Sequence, residues 1–414
     1  MTREVKADKS DLTMVWLDLA IAYGGIPHKL IVVALHHYHT PEHVISILKK
    51  HSNGMQLRFT TNNFTTTWQD LEKGIVTGCT VTPILFVMGM NIIMKVADRK
   101  TRGPKMNSGI YQPSNRGFIN DLTITTTTHV QARWTLSALD EVVNWARMKF
   151  KLKKSRCMII KKGRLTKQFI IRVQGEEIPS ITDNPVKCLG RWYDNTPFDK
   201  KNVRKVEEQV TEWLKRIDKS GLQGKYKAWL YQHGVLPRLS WNLMLYELPL
   251  TAVETLERCT IRKLRSWLGV PPSFTAVGLY SKTSQLQLPL SSIVEEFKVA
   301  KCRLVMTLKD FTDIKVQKAG MVTKTGRKWS AGATVSKAES TLELQDIVGN
   351  IYVGRRGLGV DHFQQWSKAE GKEKRDRIVS VVRTEEEQQR KSRAVELGQQ
   401  GSLTRWNLPE RKIT

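Results

Sequence analysis

Phe118-Ile119-Asn120-Asp121 is the stretch whose reading decides the fold. It sits at a tight turn between two strand-like runs, and the run after it continues to the polar Thr125–Thr128. Upstream, Thr13–Leu19 is an almost continuous apolar run rich in β-branched and aromatic residues, which reads as a buried central strand. That strand ends in Val15-Trp16-Leu17-Asp18, with Ala22-Tyr23 just after. Taken alone, Asp18 reads equally as a cap or turn residue, and Asn-Asp at a hairpin tip is a common turn pair. Taken together, the two strand ends would place oxygen ligands for hard divalent cations on one rigid sheet. One of the expected carboxylates is an amide, Asn120.

The segments between and beyond alternate in period. Gly24-Gly25-Ile26-Pro27 is a turn, and Pro27 suits the first turn of a helix through Leu30 and Ala34. Thr40-Pro41-Glu42 opens another helix with Val44, Ile45, Ile47 and Leu48 as its apolar side. Met55–Thr67 reads as a hairpin around Asn62-Asn63. Gly74–Thr82 is a loop of small residues. Pro83 then starts an apolar helix whose buried stripe is expected at Leu85, Met88, Ile92 and Val96. A second long helix covers Gln131–Met148, and Phe169–Val173 with Glu177–Ile181 flank Gly175 as a hairpin. From Asn202 the texture is helical, with Val203, Val206, Val210, Trp213, Leu214 and Ile217 recurring at three and four residues. Further helices are expected near Lys225–His233, Val253–Leu268 and Ser291–Leu308. Lys368–Gln400 is charged and helix-forming with few apolar anchors, so it either projects from the body or packs along one edge. The pattern predicts an α+β class with three parts: 1–198, a helical 199–272 closed by Pro271-Pro272, and a basic, mostly helical 273–414.

The charge pattern narrows the partners. The net charge is +28, spread from Arg3 to Lys412, and such a field favours polyanions: nucleic acid first, an anionic membrane second. The densest basic cluster runs through Lys149, Lys151, Lys153, Lys154, Arg156, Lys161, Lys162, Arg164 and Lys167. Phosphate contacts from such groups give salt-sensitive affinity without sequence reading. The bland alternative is a solvated surface. Trp213, Trp229 and Trp267 read as core of the helical part before base-stacking surfaces. The five Cys show no metal-ligand spacing and point to free thiols in a reducing compartment. With no signal peptide and an apolar Ile84–Met94 too short to span a bilayer, the expectation is an intracellular protein, nuclear or cytoplasmic.

The ordered series of motifs resembles the reverse transcriptases of non-LTR (LINE-like) retrotransposons. Trp16-Leu17-Asp18-Leu19-Ala20-Ile21-Ala22-Tyr23 is similar to motif A. Lys73-Gly74-Ile75-Val76-Thr77-Gly78-Cys79-Thr80 with Pro83-Ile84-Leu85-Phe86 is similar to motif B. Phe118-Ile119-Asn120-Asp121 stands at motif C, Lys153-Lys154-Ser155 at motif D, and Lys187-Cys188-Leu189-Gly190 at the primer grip, motif E. The resemblance implies a polymerase palm over about 11–194 followed by a helical thumb. It implies RNA-directed DNA polymerisation with Mg²⁺ or Mn²⁺, an RNA template, a DNA primer or RNA–DNA hybrid, and deoxynucleoside triphosphates. It also implies roles. Asp18, Asn120 and Asp121 would hold metal; Leu19 would help through its carbonyl; Tyr23 would exclude a ribose 2′-hydroxyl; Gly78 would admit the nascent base pair. Lys154 would be the general acid, Leu189 and Gly190 would steady the primer end, and Lys151, Lys153, Arg156, Lys161, Lys162 and Arg164 would meet nucleic acid. Each has a plainer reading: Tyr23 as core, Gly78 as a turn, Lys154 as surface charge.

Three departures stand out. Asn120 replaces the family's first motif C Asp, while Thr77 and Thr80 stand where many relatives carry Gln and Pro. The chain opens shortly before motif A, so the resemblance implies that the fingers are largely missing. The expectation is a polymerase domain with impaired or lost activity. The alternative is a non-catalytic nucleic-acid-binding remnant.

Overall fold

The computed structural model describes residues 1–195, 199–280, 290–317, 323–356 and 366–396. The chain divides into two compact units, Met1–Pro197 and Phe198–Thr414. The fold is α+β: a five-stranded antiparallel sheet with packed helices, followed by a helical C-terminal region.

The first unit is built on the order Asn115–Phe118, Asp121–Thr126, Leu12–Asp18, Arg156–Lys161, Arg164–Thr166. The strand Leu12–Asp18 is central, and both its faces are covered, which accounts for its nearly continuous apolar composition up to Asp18. Val15, Leu17, Leu122, Ile124 and Ile159 face a core shared with Ile93, Leu136 and Val143. Leu12, Trp16, Met158 and Ile160 face a smaller cluster with Ile181, Val186 and Tyr193. Period-two alternation thus sorts the side chains of one run into two cores.

The helices differ from expectation in face more than in place. The helix Thr82–Asp98 buries Leu85, Phe86, Gly89, Met90, Ile93 and Ala97, a stripe rotated about one residue from the expected Leu85–Met88–Ile92–Val96. Gly89 explains the rotation: a Cβ there would lie 2.8 Å from Ile26 Cδ1, so the helix His28–His37 approaches on that side. In Glu42–Ser52, Ile45 is buried and Leu48 packs partly buried on the main core, while Ile47 is 62% exposed and drops out of the expected face. The helix His129–Trp145 starts two residues early because Thr128 and Gln131 form a reciprocal capping box. The expected hairpins form: Gln56–Leu57 pairs with Gln69–Asp70, and Arg172–Val173 with Glu176–Glu177 around Gln174-Gly175.

In the second unit, Lys200–Lys219, Gly224–Leu230, Leu236–Leu245 and Leu250–Leu268 pack around Val206, Val210, Leu239, Val253 and Leu264. Leu279, Tyr280, Ile293 and Phe297 join the same cluster. A π-helical turn, Tyr231–Val235, carries the chain from Gly224–Leu230 into Leu236–Leu245, with Pro237 in the first turn of that last helix. The sequence reading missed this helix because proline there reads as a break. It also missed Ala331–Arg356. Trp267 is buried as expected, but Trp229 is 57% exposed against His233, which corrects its reading as core. The charged helix Gly371–Glu396 packs by ion pairs as well as by Ile378, Val379 and Val382. Lys298 pairs with Glu386, Arg383 holds Glu296 at 2.8 Å, and Arg390 holds Glu295 at 2.8 Å. The expected last residues of this helix, 397–400, lie outside the described residues, as does the boundary residue 198. Among the described residues no helix is long and apolar enough to cross a membrane.

Candidate active site

The site forms on the final rung of the central strand. Asp18 is the direct cross-strand partner of Asp121. Opposite residues on adjacent strands point to the same face, with Cα atoms about 4.5–5.5 Å apart. The two carboxylates are therefore neighbours by register. The hairpin turn is Ile119-Asn120, and Asp121 is the first residue of the returning strand, one position inside the turn expected from sequence. Ile119 is held at φ +54, a left-handed conformation costing a β-branched residue about 1–2 kcal/mol. Its side chain packs on the main core, which holds the turn in place.

Backbone bonds fix the rest of the corner. Leu19 N–H donates to the Asn120 carbonyl at 3.2 Å, and Lys151 N–H donates to the Asp18 carbonyl at 2.6 Å. Asp18 N–H donates to the buried Ser155 Oγ at 3.3 Å. The Lys151–Ser155 turn is thereby pinned on both sides of Asp18, and it carries Lys154 to 3.9 Å from Asp18 Oδ2. Asn120 presents its amide nitrogen, which donates to Asp18 Oδ1 at 2.8 Å. A cavity of about 210 Å³ gathers Asp18, Asn120, Asp121 and Lys154 with Lys187 and Cys188.

The electrostatics follow from this crowding. Burial, then the neighbouring Asp18 charge, pushes the Asp121 carboxyl up, with Lys154 opposing. Burial, then Asp121, pushes the Cys188 thiol up, with a hydrogen bond to Thr123 opposing. A carboxylate whose proton affinity is raised by a neighbouring carboxylate marks a favourable seat for a cation. The donor set fits Mg²⁺ or Mn²⁺ in its oxygen chemistry, with Asp18 and Asp121 supplying charge and the Asn120 carbonyl a neutral ligand. Among the described residues no group of three His, Cys, Asp or Glu side chains comes together to hold a metal. The corner thus brings two carboxylates together, and the Asn120 NH₂ is bonded to one oxygen of Asp18.

The other sequence-selected residues fall into three places. Tyr23 is half-buried, its ring 4.8 Å from Phe86, and its carbonyl accepts from Ile75 N–H at 2.8 Å. With Gly74 N–H on the Ile26 carbonyl at 2.8 Å, this ties the Tyr23–Ile26 loop to Gly74-Ile75. Gly78 has φ +97 with nothing within 4 Å of a built Cβ, so its surroundings are open. Leu19 is buried, and Leu189-Gly190 forms the two-residue turn of the hairpin Val186–Cys188 and Arg191–Tyr193, both at positive φ.

The basic cluster divides. Lys151 and Lys153 are exposed beside the corner. Arg156 is committed to the Lys153 and Ser155 carbonyls, both at 2.7 Å. Lys161, Lys162 and Arg164 sit at the turn beside Asp11, with Lys161 Nζ 2.8 Å from Asp11 Oδ2. That turn is at the other end of the central strand, about 20 Å from Asp18 at 3.3 Å per residue. Lys187, Cys188 and Ser155 belong to the corner without having been assigned roles from sequence. The motif D and E stretches that contain them were the available signal.

Residues 2–193 match the family of reverse transcriptases (RNA-dependent DNA polymerases), and this stretch is a reverse transcriptase domain. No curated protein matches the sequence. Among solved structures, a telomerase from Candida albicans in complex with a TWJ fragment of telomeric RNA is similar at 12% identity and a TM-score of 0.28. The match covers 75% of this chain and 49% of that one, so this chain spans about half the length of that relative.

Proposed function

We propose that residues 2–193 are the palm of a reverse transcriptase derived from a non-LTR (LINE-like) element, and that its RNA-directed DNA polymerisation is impaired by Asn120. The observation that carries this reading is the hydrogen bond from Asn120 Nδ2 to Asp18 Oδ1 beside the Asp18–Asp121 rung. The two carboxylates keep the place of a metal site, and the amide removes one charge and blocks one oxygen. When bound, divalent metal lowers the pKa of a primer 3′-hydroxyl and steadies the leaving pyrophosphate. Asp18 and Asp121 would hold the metal, with the Asn120 carbonyl as a neutral ligand. Lys154, 3.9 Å from Asp18, is placed to give a proton to the leaving group. Tyr23 serves as the sugar gate, Gly78 as the close approach to the base pair, and Leu189-Gly190 as the primer grip. Lys151 and Lys153 meet the backbone of an RNA template paired with a DNA primer, and Lys161, Lys162 and Arg164 reach it only further along. Residues 199–272 act as thumb.

Primer extension on an RNA template with deoxynucleoside triphosphates and Mg²⁺ or Mn²⁺ tests the proposal. Weak extension that rises in Asn120→Asp is the expected result. Robust extension by the natural chain, unchanged in that variant, overturns it. A second reading, a non-catalytic nucleic-acid binder, is favoured by the +28 charge. It predicts salt-dependent binding of RNA–DNA hybrid with no extension by either protein.

A further inference from the structure

The C-terminal unit contains a cavity of about 520 Å³ that no sequence motif marks. It lies among the helix Leu250–Leu268, the stretch 272–277, the start of Ile293–Lys309 and the end of Gly371–Glu396. Six basic side chains line it: Arg258, Arg265, Lys298, Lys328, Arg390 and Arg393. Three carboxylates oppose them, and each is engaged. Glu254 holds Lys328 at 2.6 Å, and Glu386 holds Lys298. Glu257 accepts from Ser292 Oγ at 2.7 Å and Val294 N–H at 2.6 Å; burial pushes its carboxyl up, with those bonds and the Arg390 charge opposing.

The arginines are left with spare donors. Arg390 reaches Glu295 by Nη2 at 2.8 Å, and Arg258 reaches Thr255 Oγ1 at 3.0 Å. Among the described residues, Arg265 Nε and Arg390 Nε and Nη1 are buried without a hydrogen-bond partner. Buried polar groups are normally satisfied, so these orphaned atoms leave two cavity-lining guanidiniums short of acceptors. Arginine forks match phosphate oxygens, and several of them suit a doubly charged group better than a carboxylate. Ile261, Pro272 and Val277 add an apolar part to the lining.

We infer that this cavity binds a phosphomonoester carrying an apolar body, with its phosphate on Arg265, Arg390 and Arg393 and its body against Ile261, Pro272 and Val277. Two sources share that chemistry: a free nucleoside monophosphate and the 5′-phosphorylated end of a nucleic-acid strand.

The test titrates the full chain with a nucleoside 5′-monophosphate, the same nucleoside without phosphate, and one oligonucleotide with and without its 5′-phosphate. The phosphorylated member of at least one pair is expected to bind about tenfold or more tightly. Arg265→Met and the exposed Arg393→Ala are each expected to remove about tenfold of that preference. Asp18→Asn is expected to leave it intact, which separates this cavity from the palm corner. Preference for the free monophosphate identifies a nucleotide site, and preference for the phosphorylated oligonucleotide alone identifies a strand-end site. Equal binding within both pairs overturns the inference, as does a preference lost in Asp18→Asn and kept in both arginine variants.

Discussion

Replacing Asn120 with Asp tests the metal-site argument in two opposed directions. Without metal, the variant loses the donor that now reaches Asp18 Oδ1 at 2.8 Å, worth about 1 kcal/mol net. It also sets a third carboxylate beside a pair already crowded enough to push the Asp121 carboxyl up. At about 4 Å and an effective dielectric near 20, one unit-charge interaction is of order 4 kcal/mol. The corner is partly open to water, so roughly a quarter to a half of that is a fair charge. The expected loss is about 2–3 kcal/mol, or about 4–12 °C of melting temperature for a unit of this size. With Mg²⁺ the sign reverses, because the added carboxylate now attracts. If half to all of the unit-charge figure reaches the transition state, primer extension rises by roughly 30- to 1,000-fold. The assays are thermal melts of both proteins with and without Mg²⁺, amide exchange on Leu12–Asp18 to locate the effect, and extension on an RNA template. A variant as stable as the natural chain without metal, and no more responsive to Mg²⁺, would refute the reasoning.

Three further outcomes follow from the same structure. Asp121→Asn should stabilise the first unit at neutral pH. The raised folded-state affinity for a proton makes Asp121 a cost above its unfolded value near 3.8, and melts repeated at falling pH should show the advantage vanish as the natural carboxyl protonates. Gly74→Ala should cost about 2–4 kcal/mol in denaturant melts, since its Cβ would meet the Gly24 backbone at 2.7 Å at φ +87; Gly78→Ala, with open space at φ +97, should cost only about 1–2 kcal/mol. In the second unit, Lys298→Met strands the buried Glu386 and should cost about 3–5 kcal/mol, while Lys298→Met with Glu386→Leu should recover most of that; equal losses would show that the pair is not the cause.

Much of the fold was legible because local patterns and long-range order agreed. The run Leu12–Leu17 is apolar apart from Thr13 because both sheet faces are buried, and that marks a central strand. The helix after the hairpin was legible from its apolar spacing, although its start was set two residues late because the Thr128–Gln131 capping box was not read. Such signals are local, so one sequence carries them. The stripe of Thr82–Asp98 was misplaced because its apolar residues nearly encircle it, and only the approach of Ile26 at Gly89 selects a face. The helix Leu236–Leu245 was hidden by a proline that a π-turn accommodates.

At the site, the sequence alone determined which side chains are chemically available: carboxylates at Asp18 and Asp121, an amide at Asn120, an ammonium at Lys154. Tertiary structure decided what those groups do to each other. Strand register makes Asp18 and Asp121 partners across 103 residues, and a turn pinned to the Asp18 backbone brings Lys154 in while sending Lys161–Arg164 to the far end of the sheet. Hydrogen-bond register acts between segments remote in sequence, and a one-residue slip would turn each of these side chains to the other face.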